Sequence, residues 1–97
     1  MGGTYFVYML SNKKQGVLYT GVTNNLSRRV WDHVEGQGSA FVRKYGLDKL
    51  VYCESFVRVD EAIAYEKRLK KWRRDWKIQL IEKHNPDWRD LSDDFPL

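Results

Sequence analysis

Short apolar runs alternate along the chain with longer stretches of helical spacing. Residues 5–10 (YFVYML) are aromatic and β-branched with no polar alternation, which predicts a strand buried on both faces. Residues 11–16 (SNKKQG) have turn chemistry and residues 17–22 (VLYTGV) repeat the strand pattern, so the two runs predict a hairpin. Asn24 or Asn25 can cap a helix running to about Glu35, where Gly36 and Gly38 stop it. A third strand is expected over 50–57 (LVYCESFV). Asp60 is placed to cap a helix with Leu69 and Trp72 on one face. A last helix is expected from about Arg73 to His84, ended by Pro86. The predicted order is β-β-α-β-α-α, an α+β fold with a three-stranded sheet and helices packed against it.

Three polar features break the burial pattern, and such breaks are expected where function sits. A hairpin turn symmetric about Lys13 and Lys14 pairs Ser11 with Gly16 and sets Tyr8 directly opposite Tyr19, with Cβ atoms about 5 Å apart. Two phenols then converge on one patch; the ordinary alternative is a pair of core aromatics with hydroxyls at the rim. In the first helix, Leu26 and Val30 define the apolar face, and Arg29 and His33, an i, i+4 pair, fall beside Leu26. An anion seated over that pair would suit it, with His33 neutral and able to accept a proton; the plain alternative is a snorkelling Arg and a rim His. In the next helix Glu66 falls ~40° from Ala62, inside the apolar arc, where a carboxylate needs an arginine or a metal ion.

Composition adds limits. Ninety-seven residues make one domain, 1–97, and 42% hydrophobic residues support a packed core. The longest apolar run is far short of the ~18 residues a membrane span needs, and no secretory signal is evident. Cys53 stands alone, which excludes an intramolecular disulfide framework and a multi-cysteine zinc site. A reduced, cytoplasmic domain without a membrane partner is the expectation. The net charge of +4 is uneven. Residues 1–66 carry eight basic and seven acidic side chains, residues 67–77 (KRLKKWRRDWK) carry seven and one, and residues 85–97 carry one and four. Basic residues interleaved with Trp72 and Trp76 suit phosphate contact. Lys67, Lys70, Lys71, Arg73 and Arg74 are the expected nucleic-acid contacts, with Arg43 and Lys44 as further candidates.

Tyr8, Tyr19-Thr20-Gly21, Arg29, His33 and Glu66 together carry a resemblance. The chain resembles the GIY-YIG endonuclease superfamily, in particular its small single-domain bacterial branch. Phe6-Val7-Tyr8 stands where the GIY triplet lies and Tyr19-Thr20-Gly21 where YIG lies. Phe6 replaces the first glycine and Thr20 the isoleucine, while both tyrosines and Gly21 remain. The similarity covers about 5–91, leaving 92–97 as an acidic tail.

The resemblance implies an antiparallel sheet and a phosphodiesterase site that uses one Mg²⁺ or Mn²⁺ ion. Carried over position by position, the catalytic set is Tyr8, Tyr19, Arg29, His33 and Glu66. Glu66 is the metal ligand, and Gly21 and Asn85 line the site. Tyr8 would act as general base toward His33, Arg29 would clamp phosphate oxygens, and Tyr19 would orient water or phosphate. The implied substrate is DNA, branched or flap-like, in repair or recombination. Target choice then rests on low intrinsic specificity or on a partner protein. The alternative is a nucleic-acid-binding module without cleavage, against which the intact residue set argues.

Overall fold

The computed structural model describes residues 3–35 and 39–94. Gly36 and Gly38, expected to stop the first helix, lie outside the described residues, as does the end of the acidic tail.

Strands β1 (Tyr5–Ser11), β2 (Leu18–Thr23) and β3 (Lys49–Phe56) form an antiparallel sheet of order β2-β1-β3. Helices α1 (Leu26–Val34), α2 (Ala40–Tyr45), α3 (Val59–Lys71) and α4 (Arg74–His84) flank it, and a 3₁₀ turn spans Leu91–Asp94. The expected order holds, with one addition. The six-residue α2 was not anticipated, although its signals are present: Ser39 accepts from Val42 N–H as N-cap, and Gly46 takes the left-handed conformation at φ 61°.

β1 is the central strand, and its unbroken apolar run is explained by burial on both sides. Val7 and Met9 face a core shared with Val51, Ala62, Leu69 and Ile81, so α3 and α4 cover that face. Tyr8 and Leu10 face the other core, with Leu26 and Val30 of α1 and Val42 of α2. Asn25 caps α1 by accepting from Arg28 N–H. Asp60 does not cap α3: the helix starts two residues earlier than such a cap would set it, Arg58 is its N-cap, and the Arg58 guanidinium holds the Asp60 carboxylate in the first turn. Ile63, next to the fully buried Ala62, is 39% exposed.

β3 carries a bulge. Met9 pairs with Tyr52 and Leu10 with Leu50, so Val51 is the extra residue. The C-terminal segment serves the backbone there. Asn85 Nδ2 donates to Val51 O at 3.1 Å, and Leu50 N–H donates to Asp90 Oδ1 at 3.1 Å. An edge strand is thereby closed by side chains from residues 85–90. Among the described residues, no helix is long and apolar enough to cross a membrane.

Candidate active site

The hairpin register sets the site, and it differs from the symmetric turn. Pairing ends at Ser11 with Leu18, Tyr8 lies opposite Gly21, and Tyr19 lies opposite Leu10. The connecting loop is longer because Gly16 N–H closes on Lys13 O, Asn12 Oδ1 accepts from Val17 N–H, and Gln15 turns the chain at φ 56°. A slip of two residues keeps every side chain on its face, since the strand period is two. Tyr8 and Tyr19 therefore still share a face as diagonal neighbours, with ring centroids 6.3 Å apart.

Gly21 makes the space that the Tyr8 ring occupies. A Cβ built on Gly21 would stand 2.5 Å from the Tyr8 hydroxyl and 2.6 Å from Cζ. The phenol thus lies across the backbone of β2, which only a residue without a side chain permits.

α1 brings the third member. His33 is buried in the last turn, its Nε2 3.3 Å from the Tyr8 hydroxyl and its ring edge-on to Tyr19 at 5.7 Å. With the ring proton on Nδ1, Nε2 accepts from that hydroxyl. Nδ1 is buried with no hydrogen-bond partner among the described residues. Burial pushes the His33 pKa below its ordinary value, the Arg29 charge adds to this, and Asp32 opposes it. The imidazole is therefore neutral at pH 7. Burial, first, and then Tyr19 and Glu66 push the Tyr8 phenol above the usual tyrosine range, while Arg29 pulls it down.

Arg29 sits at the exposed rim of α1. It borders a groove of about 270 Å³ lined also by Tyr5, Val22, Thr23, Val59 and Ile63, and no acidic side chain pairs with it among the described residues. Glu66 belongs to α3, in the layer over the other face of the sheet. It is 8% exposed, and the cation its burial demands is Lys70, one turn on, at 2.5 Å. Among the described residues no hydrogen bond joins Glu66 to the Tyr8–Tyr19–His33 cluster; it reaches Tyr8 through its charge. No group of three His, Cys, Asp or Glu able to hold a metal exists among the described residues, so Glu66 offers a single carboxylate.

No hydrogen bond joins Asn85 to Tyr8, Tyr19 or His33 among the described residues. Its amide donates to Val51 O and Arg89 O and its Oδ1 accepts from Arg89 N–H, so its polar atoms are all engaged by backbone. Of the expected nucleic-acid contacts, Lys67 and Lys71 are exposed on α3, and Arg43 and Lys44 on α2. Lys70 is held by Glu66, and Arg73 by Asp75 with its guanidinium 5.0 Å from the Trp76 ring. Arg74 donates to Gln15 O and Gly16 O, tying α4 to the hairpin loop. Phe41 of α2, which sequence reasoning missed along with its helix, packs its ring 6.4 Å from Tyr19.

This sheet, with its paired tyrosines on one face, defines a catalytic domain of the GIY-YIG class. Residues 4–79 match the family model described as the GIY-YIG catalytic domain, and the chain belongs to that family. Within it the chain is similar to small UPF0213 proteins. One from Clostridium perfringens is 45% identical over 76 residues, covering 78% of this chain and 81% of that protein. One from Oceanobacillus iheyensis is 38% identical over 82 residues, covering 84% and 94%. The solution NMR structure of a UPF0213 protein from Bacillus halodurans aligns with a TM-score of 0.57 at 31% identity, over 90% of this chain and 92% of that one.

Proposed function

We propose that this protein is a metal-dependent endonuclease that hydrolyses phosphodiester bonds in DNA. The observation that carries the reading is the junction of Tyr8 and His33. A buried phenol on the central strand lies 3.3 Å from an imidazole that its surroundings keep neutral, with the Tyr19 ring beside both.

Because burial raises the Tyr8 pKa, a standing phenolate is scarce at neutral pH. Tyr8 therefore works as a relay. Its hydroxyl oxygen accepts a proton from the attacking water while its own proton passes to His33 Nε2. Arg29, unpaired with any acidic side chain among the described residues, presents a planar fork at the rim, suited to the non-bridging oxygens of the scissile phosphate. Tyr19 orients the water or the phosphate.

Glu66 is the residue that would hold Mg²⁺ or Mn²⁺. The donor set fits: hard cations of this size are often held by one or two carboxylates together with water and substrate phosphate. The Glu66 carboxylate already keeps a cation beside it, on a lysine whose side chain is 54% exposed. When bound, the ion supplies positive charge to the phosphate and to the leaving oxygen.

The test is nicking of supercoiled plasmid and cutting of single-stranded and branched DNA, each with Mg²⁺, Mn²⁺ or chelator. Tyr8→Phe, Arg29→Ala and Glu66→Gln should each abolish a metal-dependent cut. Cutting that survives Glu66→Gln, or that ignores chelator, rejects the mechanism. Binding without any cut leaves a nucleic-acid-binding module.

A further inference from the structure

We infer that α2 carries a stacking ridge for the unpaired bases of single-stranded DNA, leading to the candidate active site. This rests on the endonuclease reading above and names the form of its substrate.

Phe41 and Tyr45 lie one helical turn apart on α2, with ring centroids 4.9 Å apart, and are 44% and 39% exposed. The core does not need these rings outside, because Val42 and Leu47 bury this segment against the sheet. Phe41 continues onto Tyr19 at 6.4 Å, and Tyr19 onto Tyr8 at 6.3 Å. Four rings thus run from the surface to the buried hydroxyl.

Charge complements the rings. Arg43 and Lys44 occupy the last turn of α2, the helix contains no acidic residue, and the Lys44 ammonium lies 5.3 Å from the Tyr45 ring centre. Flat apolar faces interleaved with cations accept bases on the rings and phosphates on the charges. A base inside a duplex cannot offer its face to such a ridge. At six residues, about 9 Å, the helix is also short for reading a major groove. The proposed site supplies a water nucleophile, which a strand lacking 2′-hydroxyls requires, so DNA is the strand we commit to.

The experiment is fluorescence anisotropy of the full chain with a labelled oligothymidylate, an oligouridylate of the same length and a blunt duplex, all in chelator so that nothing is cut. Phe41→Leu and Tyr45→Leu should each weaken oligothymidylate binding by about 5- to 100-fold. Tyr45→Phe should keep it, and duplex binding should move less than about twofold in every variant. Thermal melting confirms that each variant is folded. Lys44→Gln, a surface change, should also lower the slope of log K against log salt by about 0.7 for the single strand. Unchanged affinity in the Leu variants, equal losses on the duplex, or tighter binding of the oligouridylate each overturns the inference. Ring-dependent binding by a chain that cuts nothing rejects the endonuclease reading alone. Cutting with ring-independent binding rejects the ridge alone.

Discussion

Gly21→Ala should have an effect on stability whose sign depends on Tyr8. The added methyl would stand 2.5 Å from the Tyr8 hydroxyl, 2.6 Å from Cζ and 3.0 Å from Cε1. Ordinary contact begins near 3.4 Å, so the ring must move by about 1 Å in a core where Tyr8 is 2% exposed. Overpacking of that kind costs ~1–3 kcal/mol. The backbone at Gly21 is not left-handed, so alanine there also removes the entropic penalty of a glycine in a strand, a gain of ~0.5–1 kcal/mol. The net expectation is a loss of ~1–2 kcal/mol in the native background. In a Tyr8→Leu background the three clashing ring atoms are gone, and the same substitution should stabilise by the glycine gain alone. In a Tyr8→Phe background Cζ remains and the loss should persist. Urea denaturation of the native chain, the two Tyr8 variants and their Gly21→Ala counterparts gives the coupling directly. Equal effects of Gly21→Ala in the native and Tyr8→Leu backgrounds refute the claim that Gly21 exists to admit the phenol. In the nicking assay, the displaced hydroxyl should cost on the order of 100-fold in rate.

Two other consequences concern His33 and Asn85. The His33 pKa is lowered by burial first and then by Arg29, so below about pH 6.5 the unfolded chain binds a proton that the folded chain refuses. Stability should therefore fall as pH drops through that value, down to the folded pKa, at up to ~1.4 kcal/mol per pH unit. Urea melts between pH 5 and 7 should show this slope in the native protein and lack it in His33→Gln; the same slope in both removes His33 as its source. Asn85→Ala strips partners from Val51 O, Arg89 O and Arg89 N–H at a buried position. It should cost ~2–4 kcal/mol and speed hydrogen exchange at the Arg89 amide. An unchanged melting temperature contradicts the structural role assigned to it.

Strands and long helices were legible because burial dictates them locally. The run from Tyr5 to Leu10 reads as buried on both faces and is so. The shared face of Tyr8 and Tyr19 followed from the strand period, and His33 beside the apolar stripe of α1 from the helix period; that α1 covers the tyrosine face was implied only by the resemblance. The register did not, because its determinants are remote. The loop that shifts pairing by two turns at Gln15, a residue without the usual signature for positive φ. That residue is held by Arg74 on its carbonyl and by Glu82 on its side chain, 59 and 67 positions away. The cap of α3 failed for a local reason: Arg58 pairs with Asp60 and draws its carboxylate from the capping position. Asn85 has a residue type that suits a site and equally suits a bulge, and its bond to Val51 O could not be read without the location of the bulge.

Several cations of the basic segment are engaged by the protein's own groups. A count of seven cations in residues 67–77 reads as a phosphate track. In the fold Arg74 is a strap on the hairpin loop and Arg73 is forked onto Asp75. Lys77 is half-buried, its pKa lowered by burial and then by Arg74. Lys70 meets the need created by Glu66. A carboxylate held at 8% exposure inside an apolar arc requires a positive partner, and the same helix supplies one at i+4. Such a pair is mostly solvated on the lysine side, so its own contribution to stability is small. Loss of the pair on the lysine side would therefore leave the helix folded. Lys67, Arg68 and Lys71 on α3 and Arg43 and Lys44 on α2 are exposed and form no ion pair among the described residues, and the two helices belong to the layers on opposite faces of the sheet.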